Sequence, residues 1–108
     1  MTDRILHIDY ETRSREPLFQ GGAYRYARHP STDIICLGWA FDDDEPQIWT
    51  PADPLPEEVR AHLNRGAHRS IHAHNAAFER LITRHVLSRY AALAWTPVDA
   101  WYCTAAQA

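Results

Sequence analysis

The chain has 108 residues, 45% of them hydrophobic, with a formal net charge of −3 and no lysine among its basic residues. That size supports one hydrophobic core, so a single domain or part of one is expected. A negative balance excludes a general attraction to polyanions, and any such affinity has to come from local arginine clusters or from bound metal.

The first predicted element is a strand over Arg4 to Tyr10. Alternation sends Leu6, Ile8 and Tyr10 to one face and His7, Asp9 and Glu11 to the other. Two carboxylates side by side repel, and burial strengthens the repulsion. A divalent cation between them resolves it; so does a strand that stops near Asp9 and leaves both acids in water. Ser14 to Gly22, with Pro17 and the Gly21-Gly22 pair, is predicted as an irregular connection. Ile34 to Phe41 is an almost unbroken apolar run, the pattern of a strand covered on both faces. Asp42-Asp43-Asp44-Glu45-Pro46 lacks the spacing of a calcium loop and is predicted as a solvated turn leading to the strand Gln47-Ile48-Trp49, the second half of a hairpin. Pro56, Glu57, Glu58 and the stop signal Gly66 mark a short helix with Val59 and Leu63 inward.

Ser70 to His74 is predicted as a strand, and Asn75 as the N-cap of the next helix. Phe78, Leu81, Ile82, His85 and Val86 recur along it at helical spacing. Glu79 lies in its first turn, where the helix dipole favours an anion, at the edge of that stripe and able to point back toward Asp9 and Glu11. Ala94 to Ala100 is predicted as a connection or short edge strand, and Tyr102 to Ala108 as the start of another helix. Cys36 and Cys103 have no C-x-x-C partner and are expected as buried thiols in a reducing compartment. No stretch is long enough to span a membrane and the first four residues lack a signal-peptide pattern, so a cytoplasmic protein is expected.

Asp9-x-Glu11-Thr12 resembles the first motif of the DEDD 3′–5′ exonucleases, and Asn75 with Phe78-Glu79 resembles their second. The similarity is greatest to the proofreading domain of phage-type family A DNA polymerases. It extends through Gly22 to Ala27, Pro30 to Ile34, Pro54 to Glu58 and Trp101 to Thr104. This resemblance implies the N-terminal part of one ribonuclease H-like α/β domain over residues 1–108. Its mixed sheet would have three early antiparallel strands, then parallel ones, with the first strand central and helices flanking it. It also implies two Mg²⁺ or Mn²⁺ ions acting on the 3′ end of single-stranded DNA, with a polymerase domain as a further partner. Asp9 would bridge the ions, Glu11 would complete one site and Glu79 would support the other. Thr12 would sit against the terminal nucleotide, while Asn75 and Phe78 would shape the helix start beside it.

Two departures matter. The third acid is Glu79 where the superfamily has Asp, and the third motif, which supplies a fourth carboxylate, is not among these residues. Two alternatives stay open: an inactive fragment of such a polymerase, and a binuclear metallohydrolase using His72 and His74 with His7 and His68.

Overall fold

A computed structural model describes residues 4–94 and 96–107. Trp95 and Ala108, over which two of the expected elements pass, lie outside the described residues. Five strands form one mixed sheet: β1 (Leu6–Arg13), β2 (Asp33–Phe41), β3 (Gln47–Trp49), β4 (Ile71–Ala73) and β5 (Trp101–Cys103), in the spatial order β3-β2-β1-β4-β5. The first three pair antiparallel, whereas β4 runs parallel to β1 and β5 parallel to β4. The mixed α/β sheet with β1 at its centre is thus the expected one.

Alternation along β1 is strict. Leu6, Ile8 and Tyr10 are buried while His7, Asp9 and Glu11 are exposed. The strand runs on to Arg13, past the predicted end, so both acids belong to the strand rather than to a turn. Opposite them, β2 buries Leu37, Trp39 and Phe41 on the same face as Leu6, Ile8 and Tyr10.

Three helices accompany the sheet: α1 (Leu18–Arg28), α2 (Glu57–Arg65) and α3 (Ala76–His85). The ring of His62 on α2 packs edge-on against Phe41, and Thr83 on α3 meets the hydroxyl of Tyr10, so both helices lie over the buried face. Across the sheet the other face stays open among the described residues: His7, Asp9 and Glu11 are exposed, and Ile48 is 69% exposed. This corrects the reading of β2 as covered on both sides. Its open-face residues Cys36, Gly38 and Ala40 are small, so the apolar run carries little area that needs a cover.

Helix α1 replaces most of the predicted irregular connection. Pro17 stands at its N-cap with extended backbone, where proline fits, and Gly22 takes a φ of 76° at a kink between two helical stretches. The glycine pair therefore bends a helix rather than preventing one. Helix α2 ends as expected at Gly66, whose φ of 60° is left-handed, and a Cβ there would come within 2.9 Å of Pro97. The hairpin of β2 and β3 is also as expected. Its turn is tied down because Asp42 accepts a hydrogen bond from the Ile5 N–H at 2.9 Å.

Toward the C-terminus, β5 begins at Trp101, after the expected Ala94 to Ala100 segment, and takes in Tyr102 and Cys103; a 3₁₀ turn over Thr104–Gln107 comes next where an α-helix is expected. Cys36 and Cys103 are half-buried, not buried. Cys103 donates to the carbonyl of His74.

The start of α3 brings an acid of the helix against β1, so its capping fixes more than the helix itself. Asn75 caps it through a bond from the Phe78 N–H to Oδ1 at 3.4 Å. Substituting Asn75→Ala removes that acceptor and should cost about 1 kcal/mol. The melting temperature is expected to fall by about 4 °C in a scanning calorimeter; no change would mean that the cap contributes nothing to this helix.

Candidate functional site

Strand β4 stops at Ala73, so farther along β1 the N–H of Tyr10 meets a side chain instead of a neighbouring strand. That side chain is Glu79. Its carboxylate oxygens accept from the Tyr10 N–H at 3.2 and 3.5 Å, and the residue is only 5% exposed. A second tie lies one turn further along α3. The Thr83 hydroxyl donates to the Glu79 carbonyl at 2.9 Å, which leaves its oxygen to accept from the buried Tyr10 phenol at 2.7 Å. Burial drives that phenol's pKa far above its usual value, so Tyr10 serves as a fixed donor.

These bonds fix Glu79 at the edge of β1, between the residues that carry Asp9 and Glu11. Burial pushes its carboxyl up to about 8; the Tyr10 N–H pulls it down in part, and the negative charge of Asp9 pushes it up again. At neutral pH the corner therefore holds a proton, or else suffers two mutually repelling anions. Both conditions are relieved by a cation. The donors are hard carboxylate oxygens, which suit Mg²⁺ or Mn²⁺, and Mg²⁺ is commonly held by one or two carboxylates with waters and substrate phosphates filling its shell. Asp9 and Glu79 fit that requirement.

The corner gathers its acids unequally. Among the described residues no group of three or more His, Cys, Asp or Glu side chains stands close enough together to hold a metal ion by itself. Glu11 shares the open face with Asp9, but its Oε2 lies 4.0 Å from the thiol of Cys36 on β2. The backbone register between β1 and β2 shifts between Glu11 and Thr12. Thr12 then pairs through its hydroxyl with the Tyr26 phenol at 2.9 Å, and the Tyr26 ring packs against Phe78 at 5.8 Å. Thr12, Tyr26 and Phe78, each next or near in sequence to an acid of the corner or packed on one that is, thus join β1, α1 and α3.

Histidines are not brought together in the same way. His72 lies on the open face beside His7, their rings edge-to-face at 5.4 Å. The Nε2 of His72 bonds the Arg69 carbonyl at 3.0 Å, and His68 faces Asp99 at 3.5 Å. His74 has left the strand for the turn before α3. Four histidines converging on one metal are therefore not found among the described residues.

Sequence reasoning misses two features here. It gives Tyr10 a packing role and Thr83 none, although a Tyr on the buried face opposite a Thr one turn after an acid is the pairing that ties the acid's helix to the strand. It treats Cys36 only as a core thiol, while antiparallel pairing with Glu11 places it beside an acid.

Comparison with known proteins adds one relative. The sequence is 36% identical over 107 residues to the DNA polymerase of Bacillus phage SP02. The chain is related to a phage DNA polymerase. The matched stretch is 97% of this chain and 16% of that polymerase, so the chain spans a small part of the relative's length. No protein-family model and no solved structure matches it. Among the described residues no helix is long and apolar enough to cross a membrane.

Proposed function

We propose that the corner formed by β1 and the start of α3 is the metal-binding part of a 3′–5′ exonuclease domain of ribonuclease H-like fold, acting on the 3′ end of single-stranded DNA. The observation that carries this reading is the buried Glu79 carboxylate, held against β1 by the Tyr10 N–H and raised in pKa partly by Asp9. The sheet order, with β1 central and flanked by an antiparallel and a parallel neighbour, supports it, as does the likeness to a phage polymerase.

Each residue has a task in this reading. Asp9 and Glu79 would hold a divalent ion between the strand and the helix, and Glu11, two residues along the same face, would complete a second ion's shell. Bound there, Mg²⁺ or Mn²⁺ supplies an activated water and neutralises charge on the departing oxygen. The Tyr10 N–H keeps the Glu79 carboxyl from rotating away, and the Tyr10–Thr83 bond ties α3 to β1 beneath it. Thr12, through its backbone, and Phe78, through its half-exposed ring, would bear on the terminal nucleotide, while Asn75 secures the turn that presents Phe78. Among the described residues a fourth carboxylate has no candidate in this corner, so in this reading catalysis needs a further acidic segment.

Binding of thymidine 5′-monophosphate, the product of such a reaction, tests the site without requiring turnover. Mn²⁺ should raise the affinity of the 108-residue chain for it at least ten-fold, and Asp9→Ala should abolish that gain. The chain extended in frame by a Tyr-x-x-x-Asp segment should shorten a 5′-labelled oligothymidylate one nucleotide at a time from its 3′ end. Nucleotide binding indifferent to Mn²⁺, or cleavage only at internal bonds, would contradict the reading.

A further inference from the structure

Away from the corner, the C-terminal ends of α1 and α3 meet around an exposed aromatic ring. Tyr24 is 56% exposed, and the guanidinium of Arg28, one turn later on the same face of α1, stacks over its ring at 5.1 Å. The ring's edge is met by His85, the last residue of α3, at 5.8 Å and 86°. His85 Nε2 is buried and has no hydrogen-bond partner among the described residues. A shallow depression of about 420 Å³ lies beside this group, lined by Tyr24, Arg25, Arg28 and His29.

Cations in the last turns of both helices complement the helix dipoles, and that accounts for Arg25, Arg28 and Arg84 individually. It does not account for an aromatic ring left in water beneath a guanidinium, or for an imidazole nitrogen left without a partner. Arg25 is committed elsewhere, to Glu16 at 2.8 Å. Burial lowers the His85 pKa, with Arg84, Arg28 and Arg89 adding their repulsion, so three positive charges bear on this one spot in a chain whose net charge is −3. Exposed aromatic faces beside arginines are how proteins hold single strands, the ring stacking on a base and the cation meeting phosphate.

We propose that Tyr24 and Arg28, with His85 bracing the Tyr24 ring at its edge, form a second contact surface for single-stranded nucleic acid, taking one base on the Tyr24 ring and a phosphate on Arg28. His85 comes six residues after Glu79 on α3, about 9 Å at the helical rise. A strand whose end occupies the Asp9–Glu79 corner is therefore long enough to reach Tyr24 within a few nucleotides. Only that direction along the strand rests on the exonuclease reading; the contact itself does not.

Fluorescence anisotropy of 5′-fluorescein-labelled dodecathymidylate, titrated with the 108-residue chain in EDTA at 50 mM NaCl, tests the proposal. Without metal the ion-dependent hold of the corner is removed, and the Tyr24 and Arg28 variants leave Thr12 and Phe78 untouched, so the two ideas separate. Tyr24→Ala should weaken binding about five-fold or more, and Arg28→Ala by a similar factor, with the salt dependence flattened by about one ion. Asp43→Ala, at an exposed acid in the turn between β2 and β3, should bind as well as the unaltered chain or better, having lost an anion. Circular dichroism should show all three variants folded, since Tyr24, Arg28 and Asp43 are exposed. No binding by the unaltered chain, or equal binding by Tyr24→Ala and Arg28→Ala, overturns the proposal. So does an oligoglutamate of the same length that binds as tightly and loses as much with Tyr24→Ala. Failure of Mn²⁺ to bind at Asp9, with oligonucleotide binding intact and dependent on Tyr24, would sink the exonuclease reading and leave this surface standing.

Discussion

Replacing Glu79 by glutamine should stabilise the metal-free protein at pH 8 and leave it unchanged near pH 4.5. The folded carboxyl is pushed up to about 8 from an ordinary 4.5. Between those values the folded state binds a proton that the unfolded chain has released, so the contribution of Glu79 to stability falls as pH rises through that window. Above pH 8 both states are ionised and the loss is complete. Converted at 1.36 kcal/mol per unit, the shift sets an upper limit on the order of 5 kcal/mol. Glutamine keeps an oxygen to accept from the Tyr10 N–H and carries no charge, so it escapes that loss. His72 and His85 act in the opposite sense. Burial lowers both imidazoles, so protonation disfavours the fold, and their contribution improves as pH rises through the ordinary imidazole range. The difference between variant and unaltered protein removes their effect. Melting in EDTA should place Glu79→Gln at least 5 °C above the unaltered chain at pH 8, with the gap closing toward pH 4.5. Parallel curves across that range would mean that Glu79 is neither strained nor buried as described.

How much of this is legible in the residues depends on which force decides each element. The alternation in Leu6 to Glu11 determines which way Asp9 and Glu11 face, because one buried face specifies register. Asn75 and Gly66 mark helix ends through groups they must satisfy or conformations they alone accept easily. Helix α1 is hidden because Pro17 and Gly21-Gly22 read as breakers. One sits at a helix start and Gly22 makes the kink, and neither role shows without the tertiary contacts that hold Tyr26 and Ala27 in the core. His62 reads as polar, although Val59, His62 and Leu63 fall at i, i+3 and i+4; it is buried with Nε2 bonded to the Ser70 carbonyl at 3.0 Å. The burial of Glu79 cannot be read locally at all. An acid in a first turn is ordinary, and what removes this one from water is the early end of β4, which leaves Glu79 against a strand 69 residues away in sequence, a non-local event.

Asp9→Ala should lower Mn²⁺ affinity at least a hundred-fold, because it takes away one of the two carboxylates whose repulsion the ion relieves. His72→Ala should change it less than three-fold, since that imidazole is bonded to the Arg69 carbonyl and the ligands assigned to the ion are oxygens. Zinc, if bound, should depend on Asp9 and not on His72 for the same reason. Because Glu79 holds a proton at neutral pH when metal-free, Mn²⁺ binding near pH 7 should also expel close to one proton per ion. Isothermal titration of Mn²⁺ into the chain in two buffers of different ionisation enthalpy measures affinity and proton release together. The account predicts binding accompanied by release of about one proton, both lost in Asp9→Ala and the proton release lost in Glu79→Gln. Mn²⁺ affinity unchanged by Asp9→Ala, or zinc binding that disappears with His72→Ala, would contradict it.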